Sequence, residues 1–136
     1  MKLAGAFPRN LEALQDVFTL AEAFYLMASV PTAGQFPVSF ALEELFTNMV
    51  KYNPTGLGEI QIDLEYRDGT VRLDLADPDS DPFDLEADAP KVDPDLPLGQ
   101  RKPGGLGVHL IKKLMDRIEC RYGGRTATFT LFKRLE

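Results

Sequence analysis

Residues 59 to 66 alternate without a break, with Ile60, Ile62, Leu64 and Tyr66 on one side and Glu59, Gln61, Asp63 and Glu65 on the other. A period of two belongs to a strand with one face in a core and the other in water. Asp68-Gly69 follows at once, the dipeptide that a tight two-residue turn favours because glycine accepts positive φ, and Val71, Leu73 and Leu75 return. An antiparallel hairpin is expected, and its apolar face needs a cover. Helices supply one. Leu11, Leu14, Phe18, Ala21 and Phe24 or Tyr25 recur at three- and four-residue steps behind Phe7-Pro8-Arg9-Asn10. Leu42, Leu45, Phe46 and Met49 mark a second helix from about Val38 to Tyr52, preceded by a break from Pro31 to Pro37 and ended by Asn53-Pro54.

Gly104-Gly105-Leu106-Gly107 opens a third helix, in which Val108, Ile111, Leu114, Met115 and Ile118 keep helical spacing. Strands near Glu119 to Tyr122 and Thr126 to Lys133 flank Gly123-Gly124. The order helix, helix, strand, strand, helix, strand, strand predicts a two-layer α/β sandwich: a mostly antiparallel sheet with three helices on one face. At 136 residues, 44% hydrophobic and 26% charged, the chain fits one domain over residues 1–136. No apolar run approaches the ~18 residues of a membrane span, and the start lacks the order of a signal peptide. A cytoplasmic protein without membrane contact is expected. One cysteine, Cys120, and one histidine, His109, cannot build a His/Cys zinc site, and both read as structural. A net charge of −6 argues against a nucleic-acid partner.

That charge is unevenly spread. Residues 74 to 95 hold nine acidic side chains against one basic, while residues 101 to 136 hold nine basic against three acidic. Six of the ten prolines fall between Pro78 and Pro103. A Pro-rich stretch of this length without period is expected to be a lid, a binding loop or disordered over about residues 78–103.

Three features could carry chemistry. Glu44 and Asn48 lie one helical turn apart, away from the apolar stripe, and offer the oxygen donors that a hard cation such as magnesium accepts. A solvated helix face would look the same. Gly104, Gly105 and Gly107 stand before an apolar helix, where bare backbone N–H groups favour phosphate oxygens, although an ordinary start to a helix also uses glycine. No strand directly precedes them, which excludes a dinucleotide fingerprint. Asp77, at the end of the returning strand, could accept a hydrogen bond from a ligand amino group or form a turn.

In this order the features resemble the GHKL, or Bergerat-fold, ATPases. Leu42-Glu43-Glu44-Leu45-Phe46-Thr47-Asn48-Met49-Val50-Lys51-Tyr52 is similar to the N box, Asp77 with Phe83-Asp84 to the first glycine box, and Gly104-Gly105-Leu106-Gly107-Val108-His109-Leu110 to the second. The compact length resembles the anti-sigma factor and serine-protein kinase branch. The resemblance implies that Asn48 binds the magnesium of bound ATP and that Glu44 acts as base or orients the nucleophile. It implies that Asp77 recognises the adenine amino group, that Gly104, Gly105 and Gly107 approach the phosphates, and that Thr126 supports the adenine site. The stretch at about 78–103 becomes the ATP lid; Arg101 and Lys102 at its end could neutralise phosphate charge, although a solvated loop pair is the commoner case. The implied activity is a magnesium- and ATP-dependent serine-protein kinase acting on a STAS-domain anti-sigma-factor antagonist. A sigma factor or another regulator is the second partner, and a homodimer is typical. Asp79 stands at the place of the first-box glycine, and its charge is expected to repel a triphosphate. The alternative is a Bergerat-type binding module that sequesters a regulator with weak or no turnover.

Overall fold

The alternating segments pair as their pattern requires. In the computed structural model, which describes residues 1–53, 55–80 and 105–135, β1 (Lys2–Phe7), β2 (Ile60–Arg67), β3 (Thr70–Asp77), β4 (Arg117–Gly123) and β5 (Thr126–Arg134) form one sheet in the order β1-β2-β3-β5-β4. Every pairing is antiparallel. Asp68 and Gly69 both take positive φ in the hairpin turn. Ile60, Ile62, Leu64, Val71, Leu73 and Leu75 are buried beneath the helices, whereas Asp63, Arg67 and Arg72 face water. The polar face is tied by ion pairs between Arg72 and Asp74 and between Lys2 and Glu65, and the Arg72 and Arg117 guanidinium groups lie over the Phe132 ring.

Three helices cover the other face: α1 (Leu14–Ala28), α2 (Thr32–Tyr52) and α3 (Gly105–Leu114). α1 packs on β1 and α2, and α2 packs on β3, β5 and α3. Phe24, Leu42, Phe46 and Ile111 fill the space between layers, with Phe7 edge-on to Phe46. Among the described residues, no helix is long and apolar enough to cross a membrane.

Three elements differ from the sequence expectation. β1 is an additional strand, running antiparallel to β2 from Lys2↔Glu65 to Phe7↔Ile60. α2 starts at Thr32 rather than Val38 and carries Pro37 inside it, buried. α3 ends at Leu114, and Ile118 belongs to β4 rather than to the helix. The ordinary rule against proline in a helix reflects a lost hydrogen bond and a ring clash. Here Pro37 lies past the first turn of α2 and is buried, so packing compensates for the lost bond. The chain end also docks there: Leu135 packs on Gly34, where a Cβ would lie 2.6 Å from its Cδ1.

Between β1 and α1 the chain turns through a 3-10 segment, Leu11–Ala13, capped by the Asn10 side chain, which accepts from the Ala13 N–H at 2.9 Å. Such a cap stabilises by about 1 kcal/mol. Asn10→Ala is therefore expected to lower the urea midpoint by a corresponding amount without changing the denaturant slope. An unchanged midpoint would remove the cap from the account.

Candidate functional site

α2 carries Glu44 and Asn48 one turn apart, and both are half-buried. Their neighbours Leu42, Leu45, Phe46 and Met49 face the core and fix the helix against the sheet, so the rotation of the polar pair is set by packing. Thr47, between them, turns its hydroxyl back on the helix and donates to the Glu43 carbonyl at 2.8 Å. Burial, and after it the Glu43 charge, push the Glu44 carboxyl above its ordinary range, with Lys51 opposing. A carboxylate with a raised pKa and a nearby carboxamide suit proton abstraction beside a cation. Among the described residues no group of three His, Cys, Asp or Glu side chains could hold a metal. That donor set fits a cation that keeps most of its shell for water and phosphate, as magnesium does.

Asp77 ends β3 with its side chain on the helix-covered side of the sheet, 3% exposed. Its partner is a residue that sequence reasoning missed. The Arg9 guanidinium donates from Nη2 to Oδ1 at 2.6 Å and from Nη1 to Oδ2 at 3.0 Å, and each side chain is 4% exposed. The Asp79 N–H also donates to Asp77 Oδ1, at 3.0 Å. Oδ1 thus accepts twice and Oδ2 once, and the Arg9 guanidinium lies in front of both oxygens, on the approach that the adenine role implied for Asp77 would use. Arg9 sits in the sequence between β1 and the Asn10 cap. A lone basic residue beside an undetected strand gives no periodic signal, so only the topology reveals it.

A short loop closes over this pair. Asn53 donates to the Asp79 carbonyl, the Leu57 N–H donates to Asp79 Oδ2 at 2.7 Å, and Arg125 donates to Asp79 Oδ1 at 2.8 Å. The Leu57 N–H above all, with Arg125, holds the Asp79 carboxyl below the usual carboxylate range. The residue at the first-box glycine place is therefore the fastener of the loop that follows α2. Gly56 lies so close to Arg9 that a Cβ would meet Cζ and Nε at 2.9 Å.

The remaining expected residues separate. Gly105 and Gly107 lie in the opening turn of α3. Gly104, Phe83, Asp84, Arg101, Lys102 and nearly all of the stretch at 78–103 lie outside the described residues. Thr126 is not beside Asp77: the register pairs Asp77 with Ala127, so strand alternation turns Thr126 to the opposite, polar face. The structure brings the end of α2 to Asp79 through Asn53, but it gives Thr126 no place next to the carboxylate.

A family model described as a histidine kinase-like ATPase domain matches residues 7–132. No curated protein matches the sequence. Among solved structures, that of the RsbU and RsbW domains of Rv1364c from Mycobacterium tuberculosis aligns over 99% of this chain with a TM-score of 0.70 at 16% identity. This chain covers 32% of that one, about a third of its length. The SiaB-SiaC complex from Pseudomonas aeruginosa contains a similar fold, with a TM-score of 0.64 at 15% identity over 96% of this chain and 87% of that one.

Proposed function

Because the chain belongs to the histidine kinase-like ATPase domain family, we propose that it is an anti-sigma-type regulatory kinase that transfers phosphate from ATP to a serine of a STAS-domain antagonist. The observation that supports this most is Glu44, a half-buried carboxylate of raised pKa one turn from the Asn48 carboxamide. Asn48 would hold magnesium, which when bound neutralises charge on the phosphate oxygens. Glu44 takes the proton of the serine hydroxyl as its oxygen bonds to the terminal phosphorus and ADP leaves. Gly105 and Gly107, with Gly104 before them, offer backbone N–H groups to phosphate at the start of α3. Asp77 would receive the base. A sigma factor or another regulator is the second partner, and a homodimer the form proposed in solution.

Two measurements test this. Melting with and without millimolar magnesium-ATP reads binding, since a ligand at 100 times its Kd adds about 2.7 kcal/mol of stability. Transfer of labelled phosphate to STAS-domain proteins reads the reaction, with loss expected in Asn48→Ala. No melting shift, or transfer unchanged in that variant, would refute the assignment. The second reading, a binding module with weak or no turnover, is favoured by the closure of Arg9 on Asp77. Partner binding that persists without nucleotide would select it.

A further inference from the structure

We infer that Arg9 sets the nucleotide affinity of this site, because it occupies the carboxylate of Asp77 and has to be displaced before a base can reach it. The inference rests on the reading of Asp77 as the base-recognising group. Its geometric basis is independent: both Asp77 oxygens accept from one guanidinium, and neither side chain is more than 4% exposed. A carboxylate in that state offers no free oxygen in the direction Arg9 occupies. An amino group of a base and the Arg9 Nη atoms are therefore competitors for the same acceptor.

The closed arrangement carries a cost of its own. Arg9 Nε is buried and has no hydrogen-bond partner among the described residues. An unsatisfied buried donor raises the energy of the closed arrangement. What covers the guanidinium is a loop of two glycines and an exposed leucine, Gly56-Leu57-Gly58, whose Leu57 carbonyl accepts weakly from Arg9 Nη2 at 3.5 Å. The loop is fastened to Asp79 by the Leu57 N–H and, at its start, by Asn53, while Arg125 holds Asp79 from the β4–β5 turn. Gly56 contributes no side chain, and any other residue would press on Arg9. Opening therefore breaks the loop's polar bonds together with the two Arg9–Asp77 bonds, which the base replaces in part, and leaves the core between α2 and the sheet intact. Closed, the site presents a cation where the base would bind; open, it presents an acceptor.

The test compares Mg-ATP, Mg-ADP and Mg-GTP binding by titration calorimetry to the full chain and to Arg9→Ala, with circular dichroism confirming that the variant is folded. The substitution is expected to tighten Mg-ATP at least tenfold. ADP is expected to gain by the same factor, because the change lies at the base and not at the phosphates. The second readout needs no variant: the Arg9 Nε–H resonance of the wild-type protein, protected when buried, is expected to shift and lose protection on saturation with Mg-ATP. Nucleotide binding with equal or weaker affinity in Arg9→Ala, or an unmoved Arg9 resonance in the saturated wild type, overturns the competition and leaves the nucleotide reading standing. Tighter binding of GTP than ATP that vanishes in Arg9→Ala would mean that Arg9 stays and reads the base itself, which also overturns it. Binding of no nucleotide by either protein overturns both the competition and the nucleotide reading.

Discussion

Glu44→Gln is expected to slow phosphate transfer about 10²- to 10⁴-fold, the range for a general base, and to raise the melting temperature at pH 7. The two effects have one cause. Burial first, and the Glu43 charge second, raise the Glu44 pKa in the folded protein. The folded state therefore binds a proton more readily at this group than the unfolded state does. Its stability is greatest below the unfolded pKa and declines as pH rises through the folded value. At pH 7 the charged carboxylate is held where charge is disfavoured, and glutamine removes that penalty while keeping the shape. Melting curves across pH check the sign: wild type and variant should converge in acid and separate above the ordinary glutamate range, with the variant higher. A variant that melts below the wild type at pH 7 would show that Glu44 is a structural acceptor instead.

Asp77→Ala should have the largest effect on folding. Removing one member of a buried ion pair strands the other and costs about 3–5 kcal/mol. For a domain of this size that is a fall on the order of 10–20 °C in melting temperature. Here the stranded group would be Arg9, already short of a partner at Nε, and the Asp79 N–H would lose its acceptor as well. The double variant Arg9→Met with Asp77→Leu should recover much of the loss, because apolar residues of similar volume replace buried ion pairs with little penalty. A double-mutant cycle in urea measures the coupling directly. Additive losses in the two single variants would mean that the pair is not coupled.

The half-buried hairpin was readable because one face of it is wet, and alternation survives only where the two faces differ. Glu44, Asn48 and Asp77 could be picked out for a related reason: polar residues interrupt or end a patterned element. β1 escaped because Ala4, Gly5 and Ala6 are small and weak strand formers, held in place by β2 and α1 and not by their own preference. The early turns of α2 escaped because proline and glycine are read as breakers, whereas Pro37 is buried and Gly34 makes room for Leu135. Ile118 satisfied helical and strand spacing alike, and the Asp116 N–H bond to the Phe132 carbonyl is what ends the helical stretch. At the site, the Arg9–Asp77 pair joins residues 68 positions apart, a contact no local pattern encodes. Thr126 was assigned from its motif, and a shift of one position along β5 turns such a residue to the other face.

The strand order carries a consequence for how the chain assembles and how it can vary. The β2–β3 and β4–β5 hairpins are local and can form early, but the sheet is completed where β3 meets β5, with Asp77 against Ala127. That distant seam makes folding slow compared with a helical bundle of equal length. Once closed, the seam is nearly indifferent to the length of chain between its strands, since doubling a loop costs only about 0.6 kcal/mol.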